Sequence, residues 1–265
     1  HNTLSALLHL NEVYVPYEVT KNDLEAGIKG AWTLGFLGLN VTVPHKNKVM
    51  NYLEKIDDVA EKIGAVNTLV RGKSGFIGYN TDMPGLYRAC MDLNITINNQ
   101  DVIILGAGGA AKAVIYMCLK YGAKNIFLLN RTTETAEKLA TYFNKEFHCN
   151  SVIPMNLNSY SELDKENYLV FQCTSCGLAP NEDDCVINDR DFYKKIGVGF
   201  DLIYNPRETV FMRNVKQAGG LAYNGLKMLL YQGVISYELW NNVSISKEYV
   251  DVVEEKLQEA IYGIS

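Results

Sequence analysis

Short, uninterrupted apolar runs mark the middle of the chain, whereas its first third mixes apolar and polar positions over briefer stretches. From Asp101 onward the runs "DVIILG", "NIFLLN", "YLVFQC" and "VGFDLIY" predict strands buried on both faces. Between the first two, Val114, Met117 and Tyr121 share one helical face; after the second, Ala136, Leu139, Phe143 and Phe147 repeat at helical spacing. Such alternation predicts an α/β fold with a doubly wound parallel sheet. Nearer the N-terminus, "YVPYEV", "GLNVTVP" and "AVNTLV" read as strands, with a helical pattern over residues 49–63. Past Gly225 the pattern turns helical, and Val250, Val253, Leu257 and Ile261 mark an amphipathic C-terminal helix. No internal repeat or low-complexity tract interrupts it.

Composition narrows the partners. Of 265 residues 48% are apolar, enough for a sizeable core, and 25 basic against 30 acidic residues leave a formal charge of -5. A chain without basic excess has no electrostatic footprint for nucleic acid or an anionic membrane surface, so neither is expected as a partner. No apolar run is long enough to predict a membrane span. The six cysteines lack the density of a disulfide scaffold, which predicts a reducing, cytoplasmic setting. Cys173 and Cys176 form a C-x-x-C without a second pair or a following histidine, so no metal is expected there.

Two constellations carry chemistry. In "ILGAGGAAKA", Gly106, Gly108 and Gly109 follow a predicted strand and open a predicted helix, where glycine allows a tight turn and close approach to a pyrophosphate at the helix N-terminus. At the end of the next strand stands Asn130-Arg131-Thr132 in place of the acidic residue that would read a ribose 2′-hydroxyl. A guanidinium there can pair with a 2′-phosphate, which predicts NADP; the alternative is a solvated surface arginine. The second constellation is Lys46, behind "NVTVP", with Asp82, at the end of "GYNTD". A lysine and a carboxylate at neighbouring strand ends can hold and relay one proton, or can form a purely structural ion pair.

The ordered set "NVTVPHK", "GAVNTLV", "GYNTD", "GAGGAAKA", "NRT", "DLIYNP" and "GLKMLLYQG" resembles the shikimate dehydrogenases over about residues 38 to 233. The resemblance implies an N-terminal α/β substrate domain over residues 1–84, completed by C-terminal helices 225–265, and a Rossmann-type NADP domain over residues 85–224. It implies reversible reduction of 3-dehydroshikimate to shikimate with NADPH, catalysed by Lys46 and Asp82, with Thr42, Asn67, Tyr204 and Gln232 on the polyhydroxylated ring acid. Cofactor contacts carry over to Gly106, Ala107, Gly108, Gly109 and Ala110 for the pyrophosphate, to Asn130, Arg131 and Thr132 for the adenosine phosphate, and to Thr174, Ser175, Gly225 and Met228 beside the nicotinamide. His45 is expected to be structural. The chain is expected to act as a monomer or homodimer.

Two departures from the family pattern bear on this. Where relatives carry a second basic residue after Asn-Arg-Thr, this chain has Thr133, Glu134 and Thr135, which predicts weaker discrimination for NADP over NAD. The chain also opens at His1-Asn2, the pair that in relatives follows a strand and a Ser-x-Ser-Pro segment gripping the substrate carboxylate. A chain that truly begins there is expected to bind NADP but to have a raised KM for shikimate, with upstream residues restoring activity. The rival readings are an NAD-dependent quinate/shikimate dehydrogenase and a catalytically silent NADP-binding regulatory protein of the same fold.

Overall fold

A computed structural model describes residues 1–263. The chain divides into two units, His1–Gly85 with Leu230–Ser265, and Leu86–Leu229.

The first unit opens with helices α1 (Asn2–Leu7) and α2 (Leu24–Thr33) and strand β1 (Gly38–Asn40). A 3-10 turn (Lys48–Tyr52), β2 (Lys55–Ile56), α3 (Asp58–Ile63), β3 (Thr68–Arg71) and β4 (Phe76–Tyr79) follow. The strands form one sheet in the order β1-β3-β4-β2, with β3 antiparallel to both its neighbours. Its register puts Asn40, Thr68 and Tyr79 in one row, so the residues just beyond them emerge together at one end of the sheet. Leu24, Ile28, Val49, Val66, Leu69 and Phe76 form the core behind that row.

Two sequence expectations fail in this unit. "YVPYEV" forms neither helix nor strand, and Val13 and Tyr17 stand 77% and 63% exposed. Pro16 has no N–H for a ladder, so the alternation there finds no strand to join. Residues 49–63 are not one helix. Glu54 and Asp57 donate their backbone N–H groups to Phe76 and Gly78 on β4, which draws the chain out as β2. Asp57 then accepts from the Val59 N–H and starts α3 afresh, and Gly64 at φ +69° ends it.

Helix α4 (Asp82–Asp92) begins in the first unit and leads into the second. There β5 (Asp101–Leu105), α5 (Gly109–Lys120), β6 (Asn125–Asn130), α6 (Thr133–Glu146), β7 (Val152–Asn156), β8 (Tyr168–Gln172), α7 (Arg190–Lys194), β9 (Ile196–Asp201), α8 (Val210–Gln217) and β10 (Leu221–Tyr223) alternate. All six strands are parallel, in the order β10-β9-β8-β5-β6-β7. The four expected strands are present. β7 and β10 were not legible: the first carries Pro154 and ends on Asn156, and the second has only 3 residues. Ile103, Leu105, Val170, Phe192 and Phe211 anchor the core on one side of the sheet.

Helix α9 (Leu226–Asn241) crosses back at Leu230 into the first unit, which α10 (Lys247–Tyr262) closes. No helix among the described residues is long and apolar enough to cross a membrane.

Candidate active site

The sheet row of the first unit delivers its chemistry directly. Val41 extends β1 by one bond to the Asn67 carbonyl, after which residues 42–45 turn, closed by the His45 N–H on the Thr42 carbonyl. That turn presents Lys46, whose own carbonyl is held by the Val66 N–H at 2.8 Å. Asp82, just past β4, opens α4. Lys46 Nζ donates to Asp82 Oδ2 at 2.7 Å, and Asn67 Nδ2 donates to Asp82 Oδ1 at 2.8 Å. Each carboxylate oxygen thus has one assigned donor. The side chains of Lys46 and Asp82 stay 29% and 19% exposed, so the pair is held firmly yet reachable from solvent.

Asn67 is itself oriented. Its Oδ1 accepts the Thr81 backbone N–H at 2.8 Å, which fixes the amide with its NH2 toward Asp82. Gly85 lies so close to α9 that a Cβ added there would stand 2.7 Å from the Gln232 backbone nitrogen. His45 donates from Nε2 to the Val19 carbonyl at 2.9 Å, tying down the exposed segment before α2.

In the second unit the strand order reverses between β5 and β8, the place where open α/β sheets form a ligand crevice beyond their strand ends. Gly106 follows β5 at φ +98°, and a Cβ on it would meet Thr174 Cγ2, beyond β8, at 2.7 Å. Only glycine fits both constraints. Gly108 and Gly109 open α5, where added Cβ atoms would meet nothing within 4 Å and no side chain caps the helix. The first-turn N–H groups of a 12-residue helix are therefore open to an anion, a donor set that suits a pyrophosphate. Asn130 braces this turn, accepting from the Ala107 N–H and donating to the Thr132 carbonyl. Arg131 is exposed and makes no ion pair or hydrogen bond with the described residues, leaving its guanidinium available for a phosphate.

The loop after β8 is built on Asp201. This buried carboxylate accepts from Thr209 Oγ1 at 2.6 Å, the Ile203 N–H at 3.0 Å and Gln172 Nε2 at 3.4 Å. Gln172 in turn accepts the Thr174 N–H and donates to the Cys176 carbonyl, so the acid shapes the loop carrying Thr174 and Ser175. Burial dominates these hydrogen bonds and pushes Asp201 up to about 6.

Comparison with known proteins decides the family. Residues 1–69 match the family described as "Shikimate dehydrogenase substrate binding domain", and residues 89–192 match "Shikimate / quinate 5-dehydrogenase". A "Shikimate dehydrogenase (NADP(+))" of Caldanaerobacter subterraneus subsp. tengcongensis is 36% identical over 252 residues, covering 94% of this chain and 88% of that protein. The chain belongs to the shikimate dehydrogenase family. A crystal structure of a shikimate dehydrogenase in complex with NADP+ aligns with a TM-score of 0.90 at 34% identity, over 98% of this chain and 89% of that one. The chorismate mutase/shikimate 5-dehydrogenase fusion protein from Clostridium acetobutylicum aligns at 0.87 and 34% identity, over 100% and 92%.

As a member of the shikimate dehydrogenase family, the chain groups its expected site residues into two sets. Lys46 and Asn67 both donate to Asp82, Thr42 shares the Lys46 turn, and Gln232 packs its backbone on Gly85. Asn130 ends β6, and Gly106, Ala107, Gly108, Gly109, Ala110, Arg131, Thr132, Thr174 and Ser175 lie beyond the strand ends of the second unit. Gly225 is pressed against β9's exit, a Cβ there falling 2.1 Å from the Leu202 carbonyl oxygen, and Met228 sits in the first turn of α9. Tyr204, also in the second unit, is 39% exposed on the segment after β9. Sequence reasoning missed Thr68, Thr81, Ser236, Gln172 and Asp201. Thr68 and Thr81 each follow an asparagine in a quoted motif, but Ser236 gave only a polar break in an apolar helix face.

Proposed function

We propose that this chain catalyses the reversible, NADP-linked interconversion of 3-dehydroshikimate and shikimate, as an NADP-dependent oxidoreductase acting on a ring alcohol. The observation that carries the reading is the Lys46–Asp82 pair, 2.7 Å apart and partly open to solvent, which supports the catalytic roles that the family resemblance implies for these two residues. In the reduction, Lys46 Nζ gives a proton to the ketone oxygen as the ring carbon is reduced, and the ammonium is then restored from solvent. Asp82 holds the amine in place through the 2.7 Å hydrogen bond, so that the proton-bearing nitrogen stays aimed at the substrate oxygen. When bound, the nicotinamide supplies the hydride. Thr42, Asn67, Tyr204 and Gln232 contact the polyhydroxylated ring acid, their hydroxyl and amide groups both donating to and accepting from its ring hydroxyls.

Gly106, Ala107, Gly108, Gly109 and Ala110 hold the pyrophosphate through backbone N–H groups, while Asn130, Arg131 and Thr132 bind the adenosine phosphate. Thr174, Ser175, Gly225 and Met228 border the nicotinamide. Thr133, Glu134 and Thr135 add no second cation beside Arg131, which favours incomplete discrimination against NAD. Six free thiols favour a cytoplasmic, reducing setting.

Steady-state assay of shikimate and quinate, each with NADP and NAD, tests the reading. The highest kcat/KM is expected for shikimate with NADP. Absence of turnover with shikimate under either cofactor overturns it, and preference for quinate with NAD moves the chain to the rival activity.

A further inference from the structure

Behind the Lys46–Asp82 pair lies a cluster of buried hydroxyls that none of the expected roles uses. Thr68, Thr81 and Ser236 are 0%, 1% and 0% exposed. Ser236 Oγ stands 2.8 Å from Thr68 Oγ1, 3.2 Å from Thr81 Oγ1, 3.1 Å from Asn40 Nδ2 and 2.9 Å from the Gln232 carbonyl oxygen. A serine has one proton and two lone pairs. The carbonyl can only accept, so the Ser236 proton goes to Gln232, one helical turn back on α9. Its oxygen is then left to accept from the Asn40 amide and a threonine hydroxyl.

The two threonines are the groups that hold Asn67. Thr68 Oγ1 lies 3.1 Å from Asn67 Oδ1, Thr81 Oγ1 lies 3.2 Å from the same atom, and Thr81 Oγ1 accepts from Asn67 Nδ2 at 3.0 Å. Asn67 Nδ2 in turn grips Asp82 Oδ1. We propose that Ser236 is a positioning residue: through Thr68 and Thr81 it fixes the amide plane of Asn67, and so sets the Asp82 carboxylate for Lys46. Alanine at 236 would take from the half-buried Asn40 amide and a buried threonine hydroxyl the acceptor they share, leaving Asn40 to longer contacts such as that to Thr68 Oγ1 at 3.3 Å, and a poorly satisfied network loosens where its partners are lost. The inference rests on the function proposed above for its kinetic consequence, but not for its geometry.

The test is therefore made in two ways on the full chain. In the first, the Asn67 side-chain NH2 signals are identified by nitrogen-15 NMR from their loss in Asn67→Asp. Their hydrogen exchange is expected to quicken about 10-fold in Ser236→Ala, the equivalent of one lost hydrogen bond, and to recover in Ser236→Thr. In the second, kcat with shikimate and NADP is expected to fall about 10-fold in Ser236→Ala, with the Kd for NADP unchanged and kcat recovering in Ser236→Thr. Thr68→Val, nearly isosteric, repeats both measurements should Ser236→Ala fail to fold. Unchanged amide exchange in the folded variants overturns the proposal, as does unchanged kcat in an active enzyme. A parent protein idle with shikimate would remove the proposed function while leaving the amide exchange to decide this inference.

Discussion

Asp82 stands just past β4 and Asp201 is the last residue of β9; each organises the loops around it, but their surroundings are opposite. Asp82 faces the Lys46 ammonium and the Asn67 amide with 19% of its side chain exposed. Asp201 is fully buried and, among the described residues, accepts from neutral donors and from no cation. A carboxylate beside a cation at the edge of water can exchange protons through that cation. One sealed among neutral donors can hold a loop in shape, at the cost of a charge in a dry site. On the proposed function, the first unit thus holds the carboxylate that takes part in proton transfer and the second one that shapes a loop.

Removing the charge at each position should break the symmetry between them. Asp82→Asn keeps the shape but loses the partner of Lys46, and kcat is expected to fall about 10²-fold, read by steady-state kinetics, with the fold intact by circular dichroism. Full activity would make the pair structural. Asp201→Asn should act on stability instead. Burial raises this acid from the ordinary 3.8 to about 6, so between those pH values the folded chain keeps a proton that the unfolded chain has lost. Stability linked to the group is therefore complete below the lower value and is lost as pH rises through the upper one, by on the order of 3 kcal/mol. Urea denaturation of parent and Asp201→Asn from pH 4 to 7 should show the difference between them move in the variant's favour by that amount. A difference flat with pH would contradict the buried, unpaired charge.

The nucleotide end gives smaller effects. Arg131→Ala is expected to weaken NADP by about 2 kcal/mol and leave NAD little changed, measured by calorimetry. Equal losses for both would assign Arg131 to the loop rather than to the phosphate. Gly106→Ala should cost stability by roughly 1–2 kcal/mol, since it combines a left-handed backbone with a Cβ that pushes on Thr174. A thermal midpoint unchanged from the parent would show that the turn yields.

The second unit was far more legible than the first, and the reason is physical. β5, β6 and β8 are packed on both faces, so their apolar runs announce themselves, and the glycine turn has to sit where β5 ends. In the first unit β1 and β2 have 3 and 2 residues, too short for any period to show. Residues 49–63 carry a helical pattern that backbone pairing with β4 overrides. Lys46 and Asp82 stand out as charged groups at the ends of strand-like runs, whereas Asn67 is named by the family resemblance alone. Ser236 could not be named, because its contacts join residues 168 positions apart in sequence, and nothing local marks them.

On the proposed function, Lys46 is the group that moves the proton. Its most direct test is the rate of shikimate oxidation by Lys46→Ala at saturating shikimate and NADP, with NADP binding measured on the same sample. A rate lower by about 10²-fold or more with the Kd for NADP unchanged is expected. A rate within about threefold of the parent would contradict the assignment and leave the lysine–aspartate pair a structural one.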